Sequence, residues 1–244
     1  MQCPKMILFD YGHTLIYEEE AGTLCGTRAL MPYITKNPNH YTAEQIAAYA
    51  SRLYEAVGTP VRAAGLDFHN LIYQRLLYES LEVEFSSAPE EVETIFWDNT
   101  YPGKPMPGAQ ELITFLNSRG IRSGVISNMA FSGNSLRARL NRLLPENRFE
   151  FVLTSSEYLL RKPNKLLFAL ALKKAQLDAS EVWFCGDNVD ADVLGAAGAG
   201  LYPVWYESAL TCSYREKDQQ LPVGCDCLHI HDWSELSAFL RRLT

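Results

Sequence analysis

The sequence predicts an α/β fold: a mostly parallel sheet flanked by helices, interrupted after its first strand by a block of helices. Three observations predict it. Short apolar runs of strand length alternate with helical segments through the second half of the chain, the pattern of βαβ units. Residues from about 17 to 100 instead carry apolar residues at three- and four-residue spacing, with little strand signal. The chain has 244 residues, 47% hydrophobic and 21% charged, an ordinary globular composition with room for one large domain or two small ones.

The first strand is read at 5–9, an apolar run that stops at Asp10-Tyr11-Gly12 and enters a loop. The stretches 42–57 and 68–83 read as helices, and Thr42 followed by Gln45 offers a capping box. A Pro- and Gly-rich stretch at 100–110 reads as a linker. The expected division is therefore a core of 1–16 and 101–244, with 17–100 as an inserted helical cap. Beyond the linker come a helix at 109–120 closed by Gly120, a strand at 122–128 and a helix at 134–144. A strand at 148–155, a helix at 164–176 and a strand at 181–188 follow. A short glycine-ended helix at 191–200, a strand at 201–206, a strand at 227–231 and a helix at 232–243 complete the chain.

The net charge of −7 makes the chain a poor non-specific partner for nucleic acid or anionic lipid. No apolar run approaches the ~20 residues that span a bilayer, and the opening MQCPKMILFD lacks a secretory apolar region. A cytoplasmic protein with neither nucleic-acid nor membrane partners is expected. Its six cysteines, Cys3, Cys25, Cys185, Cys212, Cys225 and Cys227, are then reduced thiols.

In an open parallel sheet, ligands bind beyond the carboxyl ends of the strands. The first strand is followed by Asp10, Tyr11, Gly12, His13 and Thr14. The strand at 122–128 ends in Ser127-Asn128, and Arg161-Lys162-Pro163 follows the next one. The strand at 181–188 ends in Gly186-Asp187-Asn188, with Asp192 five residues after Asp187. Asp10 and Asp187 on neighbouring strands would repel each other unless a cation stood between them. A hard ion such as Mg²⁺ suits oxygen ligands. Ser127 adds a hydrogen bond and Lys162 a positive charge for an anion beside that ion. Such an inventory suits phosphoryl transfer to a carboxylate nucleophile.

FDYGHTL (9–15), VISN (125–128), RKP (161–163) and GDNVDADVLGAAGAG (186–200) resemble, in order, the four motifs of the haloacid dehalogenase superfamily, over residues 5 to about 205. The resemblance implies a Rossmann-like, doubly wound core with a helical cap of the C1 type inserted between the first and second motifs. It implies that Asp10 is the nucleophile forming an aspartyl-phosphate, and that Ser127 and Lys162 bind the transferring phosphoryl group. Asp187 would bind Mg²⁺ beside Asp10, with Asp192 in support and the backbone carbonyl of Gly12 as a further ligand. Thr14 and Asn128 are expected to contact phosphate or substrate. The implied activity is Mg²⁺-dependent hydrolysis of the phosphomonoester of a small metabolite.

One position departs from the family pattern. Its phosphatases usually carry an aspartate two residues after the nucleophile, to protonate the leaving group and then activate water; here the residue is Gly12. General acid–base help is worth ~10²–10⁴-fold. His13 is a titratable neighbour able to substitute, and a substrate with a good leaving group would need less protonation. Two other readings stay open: a metal-free dehalogenase, and a catalytically impaired binder of phosphorylated ligands.

The remaining polar features read as ordinary. Glu18-Glu19-Glu20 is expected to be a solvated loop, Arg161 surface charge, and Asp190 a helix N-cap or loop residue. In the run Cys225-Asp226-Cys227-Leu228-His229-Ile230-His231, alternate residues of a strand share a face. Its ends lie ~20 Å apart at ~3.3 Å per residue, so one strand cannot close a zinc site. The aromatic residues between 33 and 97 are expected to pack the cap's own core.

Overall fold

In the computed structural model, which describes residues 2–211 and 219–243, four consecutive apolar residues build the central strand β1 (Met6–Phe9). They are buried on both faces because helices cover the sheet on either side. Cys212 lies outside the described residues. A short β2 (Ile16–Glu18) follows, then a helical segment: α1 (Thr23–Leu30), β3 (Ile34–Lys36), α2 (Ala43–Leu53), α3 (Thr59–Ala63), α4 (Asn70–Ser80), β4 (Glu84–Phe85) and α5 (Pro89–Thr100). The chain returns through β5 (Gly103–Pro105), which pairs antiparallel with β2, so the two crossings run side by side.

The rest alternates as the sequence predicts: α6 (Ala109–Ser118), β6 (Arg122–Ser127), α7 (Gly133–Leu143), β7 (Val152–Thr154), α8 (Ser155–Tyr158), α9 (Lys165–Ala175), β8 (Val182–Gly186), α10 (Gly195–Gly198), β9 (Tyr202–Tyr206), β10 (Leu228–Ile230) and α11 (Trp233–Leu243). Six strands form one parallel sheet in the order β10-β9-β8-β1-β6-β7. From β1 the chain winds outward through β6 and β7, then returns and winds the other way through β8, β9 and β10. This is the doubly wound, Rossmann-like plan, and its switch point lies between β1 and β8.

Alternation along β1 divides the core. Ile7 and Phe9 face Leu112, Leu116, Leu140 and Trp233, while Met6 and Leu8 face Leu167, Phe168 and Phe184. Phe9 pairs in register with Val125 on one side and Cys185 on the other, so the next residues of all three strands emerge at one edge.

The helical segment has its own apolar cluster, around Leu30, Ile46, Leu77, Leu81 and Val92. α1 approaches α5 at Gly26, where a β-carbon would stand 2.1 Å from Thr100 Oγ1, so the crossing requires glycine. The capping box of α2 forms as expected: Gln45 N donates to Thr42 Oγ1 (3.3 Å) and Thr42 N to Gln45 Oε1 (2.9 Å). Buried Glu93 of α5 ties this segment to the core by accepting from Ser132 and Ser135, and also from Asn70 within the segment. Asn70 N donates to Ala130 O at 2.8 Å.

Some elements differ from the sequence reading. The ribbons β2–β5 and β3–β4 lie in stretches read as helix or linker; strands of two or three residues are too short to show a period of two. Residues 54–58 and 189–194 form wide π-helical turns. No helix among the described residues is long and apolar enough to cross a membrane.

Candidate active site

Asp10 follows β1 directly, and its backbone N–H donates to Cys185 O of β8 at 2.9 Å. Asp187 follows β8, and its carbonyl accepts from Trp205 Nε1 (3.3 Å) and Gln219 Nε2 (3.1 Å). The turn at Val189–Leu194 brings Asp192 back to the same point. Asn188 starts that turn by accepting from Ala191 N at 2.7 Å, and Asn188 N donates to Asp192 Oδ2 at 3.0 Å. The cap of this turn is therefore Asn188; Asp190 is exposed. A β-carbon at Gly186 would sit 2.3 Å from the Asp192 carboxyl carbon, so the strand end leaves that carboxylate its place only as glycine.

The result is three buried carboxylates, Asp10, Asp187 and Asp192, with one oxygen from each lying within 4.8 Å of the others. Lys162 enters from the loop between α8 and α9 and donates to Asp10 Oδ1 and Asp192 Oδ1, both at 2.6 Å. Asn128, at the end of β6, holds the lysine backbone in both directions: Nδ2 donates to Lys162 O (2.9 Å), and Oδ1 accepts from Lys162 N (2.7 Å). Burial works against the Lys162 ammonium, but Asp10 and Asp192 outweigh it and hold its pKa above the ordinary lysine value. Burial pushes the Asp192 carboxyl up to about 6 against the pull of Lys162, with Asp10 adding to the rise. An all-oxygen, buried donor set of three converging carboxylates fits a hard divalent ion.

These groups open on a cavity of about 470 Å³. Of the residues singled out from sequence, Asp10, Gly12, Ser127, Asn128, Lys162, Asp187 and Asp192 line it together. Thr14 and His13 do not. Thr14 is buried, its carbonyl accepting from Trp233 Nε1 at 3.2 Å and its hydroxyl enclosed. His13 is buried with its ring edge-on to Tyr17, centroids 5.2 Å apart.

Other residues reach the cavity that the sequence reading gave no place in the site, among them Glu18, Arg62, Trp97 and Arg161. Glu18 is no solvated loop residue: its Oε1 accepts from Tyr11 OH (2.8 Å), Trp97 Nε1 (3.0 Å) and Arg139 Nη2 (3.1 Å). Burial raises its pKa, against the pull of Arg139. Nor is Arg161 free surface charge, since it pairs with Asp67, a buried carboxylate of the helical segment that also accepts from Ser155 Oγ at 2.6 Å. The Cys/His run divides. His229 and His231 face Glu207, with His229 Nε2 2.9 Å from Glu207 Oε2, while Cys225 and Cys227 pack beside Val189 and Trp205.

Comparison with known proteins shows the family to which the chain belongs. The family model described as haloacid dehalogenase-like hydrolase matches residues 4–200. The glyceraldehyde 3-phosphate phosphatase of Pyrococcus abyssi is 26% identical over 208 residues, covering 83% of this chain and 81% of that protein. The phosphoserine phosphatase of Thermus thermophilus is 26% identical over 240 residues, covering 90% of this chain and 95% of that one. Among solved structures, a 2-haloacid dehalogenase from Pseudomonas syringae superposes with a TM-score of 0.62 at 22% identity, over 99% of this chain and 100% of that chain, a likeness of fold.

Proposed function

Because the chain belongs to the haloacid dehalogenase-like hydrolases, we propose that it is a Mg²⁺-dependent phosphatase of a small phosphorylated metabolite, working through an aspartyl-phosphate on Asp10. The observation that carries this reading is the buried cluster of three carboxylates around the Lys162 ammonium. Asp10, the Gly12 carbonyl and Asp187 are the groups to hold the ion, with Asp192 behind them. Bound there, Mg²⁺ would neutralise the carboxylates and draw charge from the phosphoryl oxygens.

The chain's own residues do the rest. A carboxylate oxygen of Asp10 attacks phosphorus as the alcohol oxygen leaves with a proton taken from solvent; water then attacks the aspartyl-phosphate and gives a proton back to solvent, releasing phosphate and restoring the carboxylate. The Ser127 hydroxyl and the Lys162 ammonium meet the phosphoryl oxygens as charge builds on them. Asn128 holds Lys162 in position through its backbone. Residues 17–100 act as a cap that limits water at the site.

The test is a phosphatase screen on protein stripped of metal by chelation and then reloaded. Turnover is expected to disappear on stripping and return with Mg²⁺. Release of halide from a haloacid by stripped protein, with no phosphate release under either condition, would replace this reading with the dehalogenase one.

Gly12 sets a second expectation. Its backbone is not left-handed, so an aspartate there meets no φ strain. Gly12→Asp is expected to raise kcat about 10- to 100-fold on alkyl phosphates, whose leaving groups need a proton, and less on acyl phosphates. Equal effects on the two substrate classes, read from kcat against leaving-group pKa, would show that proton donation is not what the glycine withholds.

A further inference from the structure

A second cavity, of about 400 Å³, lies in the helical segment and shares Arg62, Tyr101, Ala130 and Phe131 with the catalytic one. Its wall is largely aromatic and aliphatic. Tyr73, Gln74, Leu77 and Tyr78 of α4 lie at the three- and four-residue spacing of a single helix face, and that face lines the cavity. Phe68 and Phe131 contribute rings from other parts of the wall. Phe68 meets Tyr54 and Tyr73 at centroid distances of 5.9 and 5.4 Å, spacings at which rings pack favourably.

Several polar side chains interrupt this wall, Glu55, Asn70, Arg62 and Gln74 among them, and Arg62 and Gln74 bear on what it would hold. Gln74 is only 6% exposed, and its carbonyl oxygen Oε1 has no hydrogen-bond partner among the described residues. A buried amide oxygen without a donor is costly to maintain, which points to a donor brought in by a ligand. Arg62 stands at the junction of the two cavities. Its guanidinium lies 5.5 and 5.6 Å from the ring centroids of Tyr54 and Phe68, donates to Tyr54 OH at 2.7 Å, and has its charge offset by Asp67. It presents a flat, partly neutralised surface where a phosphate ester's body would pass.

We infer that the substrate's alcohol carries a planar, largely apolar ring with a hydrogen-bond donor, the ring seated in this second cavity and the donor meeting Gln74 Oε1 while the phosphoryl group sits at Asp10. This substrate class rests on the phosphatase reading above. A short polar ester fills the catalytic cavity and leaves the aromatic one empty; a ring-bearing ester of the same leaving oxygen fills both.

The experiment compares ethyl phosphate, 2-phenylethyl phosphate and its 3- and 4-hydroxyphenyl analogues, which share one CH₂–O–P group and differ only beyond it. The phenyl ring is expected to raise kcat/KM about 100-fold. The better-placed hydroxyl adds about 10-fold more. Gln74→Met removes the hydroxyl's gain and keeps the ring's, and Ala50→Phe, which fills the cavity, brings the ring's gain down toward one. Each gain is a ratio within one variant, so a smaller folded fraction cancels. In parallel, calorimetry on the intact protein compares 3-phenylpropylphosphonate with propylphosphonate, which need no turnover. If the esters are hydrolysed with no preference for the ring, the inference falls and the phosphatase reading stands. If none is hydrolysed but the ring-bearing phosphonate binds about 100-fold tighter, the phosphatase reading falls and the cavity's ring selectivity stands. If neither preference nor turnover is seen, both fall.

Discussion

Asp10→Asn is expected to lower turnover about 10⁴- to 10⁶-fold, the scale of removing a nucleophile, while leaving the protein folded. The substitution keeps the size of the side chain and an oxygen for the Lys162 ammonium, now 2.6 Å from Asp10 Oδ1. It also removes one of three carboxylates crowded within 4.8 Å, so like-charge repulsion falls. The expected Tm is therefore equal to or above that of the unaltered protein, because the buried Lys162 ammonium keeps Asp192 as a charged partner at 2.6 Å. Phosphate release on the substrate screen and thermal unfolding, measured on the same preparation, check both halves. Turnover within tenfold of the unaltered protein would remove Asp10 as the nucleophile.

The second large effect is on stability. Arg139→Met is expected to destabilise the fold by about 3–5 kcal/mol, the cost of removing one partner from a buried ion network. Arg139 of α7 has a side chain only 2% exposed. Its guanidinium donates to Tyr11 OH (2.7 Å), Glu18 (3.1 Å), Asp98 and the carbonyl of Tyr101, and its carbon lies 4.7 Å from the centre of the Trp97 ring. These partners come from the loop after β1, from β2, and from the end of α5 with the residue beyond it. One side chain thus ties both crossings between core and helical segment. Methionine fills much of the volume but leaves Glu18 without its cationic partner in a site where burial already disfavours its charge. Arg139→Lys is expected to recover little, because an ammonium lacks the planar fork that reaches several acceptors at once. Urea unfolding measures the loss; a value below about 1 kcal/mol would mean that water replaces the network at little cost.

These two positions differ sharply in how visible they were. Asp10 stands at the end of an apolar run, and Ser127, Lys162 and Asp187 follow runs of the same kind, so the strand-end rule for parallel sheets marked them before any coordinates. Arg139 sits in an amphipathic helix beside Arg137 and Arg142, and nothing local separates it from its solvated neighbours. Glu18 stands in an acidic run that reads as loop, and its burial comes from Tyr11, Trp97 and Arg139, up to 121 residues away. Arg161 and Asp67 show the same thing as a pair: each is ordinary alone, and the ion pair exists because the helical segment folds back over the strand ends. Gln74 looked like any polar helix residue until the fold placed its face of α4 toward a cavity.

Alternation of short apolar runs with amphipathic segments, and the polar side chains gathered at the ends of those runs, could be read along the chain because they rest on local periodicity and on one general property of parallel sheets. The run of helices between β2 and β5 was visible for the same reason. Which ribbons close its two crossings, which charges it buries and what shape of cavity it leaves above Asp10 came from contacts between residues far apart in sequence. Such contacts depend on the geometry of packing between faces, and no pattern of spacing in a single segment encodes that.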